Sequence, residues 1–229
     1  MSLNKKNQND ILKYLGIKYK FSDISINRLN IKPEGEDKFS KIQRLKNKIE
    51  EIENCELKNF ANNMVFSDGN YNSPLMIVGE APGQKEDQLG KPFVGNAGKL
   101  LDKMLNAINI KRENVYITNV VNYRPPNNRK PENEEIKRYS KFIKEHIYLI
   151  DPQLLILMGS TAMETLLGEK LKITKERGLW KDLSLNDKNF KTIITFHPAY
   201  LLRNPEKKKF SWEDLKKIRT EIDKLGIMI

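Results

Sequence analysis

Four short apolar runs punctuate the middle of the chain: Leu75–Val78, Val115–Val121, Leu154–Met158 and Thr192–Phe196. They are rich in β-branched residues and have the length of buried strands. Between them the spacing changes to steps of three and four. Ala97, Leu100, Leu101, Met104, Leu105 and Ile108 form one apolar stripe, and Ile136, Tyr139, Ile143, Ile147 and Ile150 form another. Such spacing predicts amphipathic helices. A further helix is expected upstream from Phe39, Ile42, Leu45, Ile49 and Ile52, and one downstream from Leu215, Ile218, Ile222 and Leu225. Thr161–Glu164 and Ser211–Asp214 have the form of capping boxes, and so mark expected helix starts. Strands alternating with helices imply parallel pairing, because parallel neighbours need crossover connections. The expected fold is α/β: a three-layer α/β/α sandwich around a central four-stranded, mainly parallel sheet. Residues 1–38 are polar and basic and read as an extension with one short helix near Ile11–Leu15; residues 39–229 read as the domain.

Sites in open parallel sheets lie beyond the C-terminal strand ends. The first run is followed by Gly79-Glu80-Ala81-Pro82-Gly83, and the second contains Thr118-Asn119 near its end. Gly159-Ser160 follows the third, and His197-Pro198-Ala199-Tyr200-Leu201-Leu202-Arg203 the fourth. A carboxylate, an amide and an imidazole therefore converge on one rim. Taken singly, each has a plainer reading: a tight glycine turn, a strand-end cap, a turn histidine. Phe93, between glycines in GKPFVG, reads either as core or as a pocket wall. Only two histidines are present, and the other, His146, falls in a helical stretch where a surface or boundary place is expected.

Composition narrows the classes. The chain has 229 residues, 38% hydrophobic and 31% charged, which suits a globular domain. No apolar stretch approaches the roughly 20 residues of a membrane span. MSLNKKNQND has no apolar segment after its charges and does not read as a signal peptide. The single cysteine, Cys55, can form no internal disulfide, which fits a cytoplasmic location. A net charge of +11 favours a polyanionic partner such as nucleic acid, although richness in Lys, Asn and Ile together also follows from an AT-biased genome. GEAPG is not a phosphate-binding P-loop, since Gln84-Lys85-Glu86-Asp87 follows where Lys-Ser/Thr is needed. One cysteine and two distant histidines do not make a zinc site.

GEAPGQKED, GKPFVGNAGKLLDKML, YITNVVNYRPPNNRKP, LILMGSTAMETLLG and HPAYLLR, in this order, resemble the uracil-DNA glycosylase superfamily, specifically its family 4. The resemblance extends back to VFSDGN and spans roughly residues 50–225. It implies a monofunctional enzyme that flips uracil out of DNA, hydrolyses its glycosidic bond and starts base-excision repair. Phe93 would stack on the base, and Asn119 would read its Watson–Crick edge. His197 would donate to O2, helped by backbone groups of Gly79 to Ala81. Glu80 is the first choice to hold the water, because Ala81 stands where the best-known members carry Asp. Glu86 would shape the pocket against the thymine methyl group. Leu201, Leu202 and Arg203 would enter or flank the duplex. A monomer is usual for this resemblance, and uracil-containing DNA is the implied partner.

Family 4 members typically hold a [4Fe–4S] cluster on four cysteines. Here those positions fall at Ile52, Cys55, Tyr123 and Tyr139. One thiolate cannot hold such a cluster, so no cofactor and no metal are expected. The competing reading is a non-catalytic nucleic-acid-binding module on the same scaffold. Such a module needs the lysines but not Phe93, Asn119 and His197 together, and the presence of all three with Glu80 favours the enzyme.

Overall fold

The computed structural model describes residues 36–168 and 171–229, so the expected N-terminal extension lies outside the described residues except for its last three. The helices are α1 (Lys38–Glu50), α2 (Glu56–Phe60), α3 (Gln84–Leu89), α4 (Asn96–Asn106), α5 (Asn133–Ile150), α6 (Ser160–Leu167), α7 (Ile173–Glu176), α8 (Pro198–Arg203) and α9 (Lys208–Lys224). The strands are β1 (Ser67–Gly69), β2 (Leu75–Gly79), β3 (Tyr116–Asn119), β4 (Leu154–Met158), β5 (Trp180–Leu185) and β6 (Lys188–Thr195). They form one sheet in the order β1-β3-β2-β4-β6-β5.

Every residue of β2, β3 and β4 is buried, because helices cover both faces. Alternate side chains divide between two cores. Met76, Val78, Leu155 and Leu157 pack with α1, α5 and α6 on one face. Leu75, Ile77, Leu154 and Ile156 pack with α4 and α9 on the other. The pairs β2–β3, β2–β4 and β4–β6 are parallel, so the α/β/α sandwich and its four parallel strands are as expected. The sheet is wider by two antiparallel edge strands, β1 on β3 and β5 on β6. Neither edge carries an apolar run: β1 is Ser-Asp-Gly, and β5 buries only Leu183 and Leu185.

Two expected caps are corrected. Helix α6 begins one residue before Thr161, and Gly159 caps it with φ 96°. Helix α9 begins at Lys208, so Ser211 and Asp214 lie within it, both buried. Asp214 is held there by Arg177 and by Thr195 Oγ1, which donates to it at 2.8 Å.

His146 is also corrected. It is buried on α5, stacked on Phe66 with ring centroids 4.6 Å apart, and its Nε2 lies 2.7 Å from Tyr116 Oη. Burial pushes its pKa down to about 3, so the folded protein holds it neutral. Burial also lowers His197, to about 4. In the unfolded chain both take up a proton near pH 6.5. Below that pH the unfolded state binds more protons, so stability falls as pH drops from about 6.5 towards the folded-state values. Urea unfolding across pH 6.5 to 4.5 should show this decline. His146→Gln should make it shallower by about one proton, or about 1.4 kcal/mol per pH unit.

Candidate active site

The register of the central strands builds the site. Gly79, the last residue of β2, pairs with Asn119, the last residue of β3. The two chains stay together past the sheet, with Val120 N and Val121 N donating to Gly79 O and Glu80 O, each at 3.0 Å. Asn119 is 3% exposed, and its Oδ1 has no hydrogen-bond partner among the described residues. Buried polar atoms are normally paired, and this one faces the cavity, where a donor could reach it. The glycine opposite is a steric requirement. A Cβ at residue 79 would lie 2.4 Å from Asn119 Oδ1 and 2.6 Å from Phe93 Cζ.

Phe93 and His197 close the pocket, their ring centroids 5.3 Å apart and their planes inclined by 29°. Phe93 has φ 53°, a left-handed conformation that costs a bulky residue about 1–3 kcal/mol and persists only where its surroundings enforce it. His197 follows β6 and caps α8, where its Nδ1 accepts from Ala199 N at 3.1 Å. Burial, and secondarily the charge of Arg203, lowers its pKa to about 4. A neutral ring that accepts at Nδ1 carries its proton on Nε2. The site therefore owns a neutral N–H donor.

Glu80 lines the same cavity, and Thr161 donates its hydroxyl to Glu80 Oε2. Thr161 is fully buried in the first turn of α6, so the residue expected to cap that helix instead fixes the carboxylate. Glu86 lies on the wall, where its Oε1 accepts from Val94 N at 2.9 Å and Gly95 N at 2.7 Å. Ala81 contributes to the lining as well. The structure thus gathers Glu80, Ala81, Glu86, Phe93, Asn119 and His197 around one cavity of about 640 Å³, whereas Gly79 packs beside Asn119 and Phe93 and is not among the lining residues. Arg203 stands on the rim with Lys130. Leu201 is a correction: it is 1% exposed and belongs to the core under α8, whereas Leu202 is 43% exposed and Arg203 is exposed too. Chemically, the arrangement can hold a flat ring against Phe93. It offers that ring an amide edge and a neutral imidazole donor, with a carboxylate nearby.

The residues at the implied cluster positions do come together, but their chemistry does not fit a [4Fe–4S] group. Cys55 Sγ lies 3.3 Å from Tyr139 Oη, and both are buried. Burial raises both tyrosines, Tyr123 to about 12 and Tyr139 further, and the adjacent Cys55 adds to each. Ile52 packs against the same core. One thiol and two reluctant phenols cannot replace four thiolates. Among the described residues no group of three or more His, Cys, Asp or Glu is placed to hold a metal ion.

Residues 66–216 match the family described as the uracil DNA glycosylase superfamily. Similar proteins include a type-4 uracil-DNA glycosylase of Thermotoga maritima, 43% identical over 175 residues that span 75% of this chain and 90% of that protein. Another, from Sulfurisphaera tokodaii, is 40% identical over 186 residues, spanning 78% of this chain and 83% of that protein. The chain belongs to the uracil DNA glycosylase superfamily.

Proposed function

We propose that this protein is a uracil-DNA glycosylase that hydrolyses the N-glycosidic bond of uracil flipped out of DNA and so initiates base-excision repair. The observation that carries this reading is the unpaired, buried amide oxygen of Asn119 beside Phe93 and a neutral His197. Uracil presents N3–H to that oxygen and O4 to the amide nitrogen. Cytosine presents a lone pair and an amino group at the same two places, leaving both halves of the amide mismatched. Phe93 stacks on the base. As the C1′–N1 bond breaks, its electron pair leaves with the base, and negative charge grows on O2. The Nε2–H of His197 stabilises that charge without transferring a proton, and backbone N–H groups of the Gly79–Ala81 turn assist. The sugar becomes oxocarbenium-like, and a water held by Glu80 adds to C1′ and gives up a proton to the Glu80 carboxylate, which passes it to solvent; the uracil anion takes a proton from solvent, leaving free uracil and an abasic site.

Leu202 and Arg203 are the exposed groups that flank or fill the gap left by the flipped base, and Arg203 supplies charge to the phosphates. Residues 39–229 act as the glycosylase domain, as a monomer, in the cytoplasm and without an iron–sulfur cluster. No described helix is long and apolar enough to cross a membrane.

The test is a labelled oligonucleotide with one uracil, beside matched thymine and cytosine strands, treated with alkali to reveal abasic sites. Cleavage confined to uracil supports the enzyme. Binding without cleavage would instead identify a nucleic-acid-binding module on the same scaffold. Glu80→Gln should slow excision about ten- to a hundredfold, since a dissociative reaction needs little help from a base.

A further inference from the structure

We infer that Arg112, outside the pocket, is a positioning residue that works with Glu86 to hold the Phe93 ring in its base-stacking place; this rests on reading Phe93 as the stacking residue. Arg112 lies in the short turn between α4 and β3. Its guanidinium faces the backbone of the Phe93 loop. Nη2 donates to Pro92 O at 2.7 Å and Nη1 to Phe93 O at 3.0 Å. Glu86 grips the next two residues from the other side through Val94 N and Gly95 N. Four successive backbone groups, two carbonyls and then two amides, are thereby fixed by one cation and one anion. Phe93, with its left-handed backbone, lies within this clamp: Arg112 holds its carbonyl and the one before it, and Glu86 holds the two amides that follow.

The surroundings are fitted to this clamp. Gly98 of α4 lets the Phe93 carbonyl lie against the helix, since a Cβ there would sit 1.8 Å from that oxygen. A Cβ at Gly95 would sit 3.1 Å from Glu86 Oε1. The fork of Arg112 is itself aimed by two carboxylates. Asp68 Oδ2 accepts from Nε and Nη2, both at 3.0 Å, and Asp102 Oδ1 accepts from Nη1 at 3.0 Å. Asp68 is the central residue of β1, so that short edge strand gains a purpose: it delivers the anchor of the anchor. A planar fork can bridge two carbonyls and two carboxylates at once, whereas an ammonium cannot.

A misplaced ring weakens the hold on the flipped base, and a displacement of about 1 Å can cost about a hundredfold in rate. The experiment compares Arg112→Gln, Arg112→Lys and Phe93→Ala, singly and combined, with Lys91→Ala as a control. Lys91 precedes Pro92 in the same loop, and its exposed ammonium lies 3.9 Å from Asp68 Oδ1, so its truncation removes a charge beside Asp68 and leaves the Arg112 bonds in place. Four quantities are read: unfolding midpoint, affinity for uracil-free DNA, single-turnover excision, and inhibition by free uracil. Arg112→Gln is expected to slow excision about thirtyfold. It should weaken inhibition by free uracil while keeping DNA affinity within about twofold, because DNA is held by other groups. Arg112→Lys keeps the positive charge beside Asp68 and Asp102 but loses the fork, and so should lose most of the same activity. In the Phe93→Ala background either change should cost less than about threefold, since coupled residues are not additive.

Wild-type excision and uracil inhibition in Arg112→Lys would overturn the inference. So would equal losses in both backgrounds, or a loss confined to the unfolding midpoint. Full activity of Phe93→Ala alone would overturn the stacking reading beneath it, a failure that leaves its mark on a different variant.

Discussion

Asn119→Ala should release uracil about a thousandfold more slowly than the parent protein, with no loss of stability. The first half follows from the pocket. The amide is the only side chain assigned to reading the base edge, and a site that hydrogen-bonds its substrate loses most of its discrimination when those bonds go. The second half follows from the bare oxygen. Oδ1 of Asn119 accepts no hydrogen bond from the described residues, so its removal breaks none of theirs. Truncation leaves only a small enlargement of the pocket beside it. The unfolding midpoint should therefore stay nearly unchanged while activity collapses. Single-turnover excision and thermal unfolding on the same preparation read both. A variant that loses both together would show Asn119 to be a structural cap instead.

His197→Ala should lower the excision rate by about a hundredfold or more, the usual consequence of removing one donor to a developing oxyanion. It also removes the acceptor for Ala199 N, a helix-capping bond whose loss costs about 1 kcal/mol. His197→Gln, which keeps an N–H donor at a similar reach on a more flexible side chain, should recover part of the rate. The pH dependence gives a second readout. With its pKa lowered to about 4, His197 stays neutral from pH 6 to 8, so its titration should leave no inflection in the excision rate there. An inflection near pH 6.5 that vanishes in His197→Ala would contradict the neutral-donor account.

The parts of the protein legible in its sequence are those with local, periodic signals. β2 and β4 are continuous apolar runs because both their faces are covered, and their ends announced the rim where Gly79, Asn119 and His197 meet. β1 and β5 were not legible, since an edge strand of Ser-Asp-Gly or Trp-Lys-Asp-Leu-Ser-Leu has turn-like or half-polar composition. His146 was misread for a related reason. The stripe through Ile143, Ile147 and Ile150 marked the buried face of α5, but the partners that admit an imidazole there, Phe66 and Tyr116, come from distant segments. Leu201 and Leu202 are adjacent, and a six-residue helix has too few turns to show which one faces inward. Thr161 looked like a cap because its spacing to Glu164 fits one, and only the fold reveals Glu80 as its partner. Arg112 carried no signal at all. Its four partners lie between 10 and 44 residues away, and they are two backbone carbonyls and two carboxylates of ordinary type.

The central claim is that a glycosylase of this superfamily works here with Cys55, Tyr123 and Tyr139 packed at positions where the resemblance to family 4 implies cluster ligands. The most direct measurement determines iron per chain and uracil excision on one preparation, before and after anaerobic treatment with iron and sulfide. The account predicts robust uracil-specific excision with iron far below the four atoms per chain of a full cluster, unchanged by the treatment. Excision that appears only in iron-loaded protein, or none in either state, would contradict it.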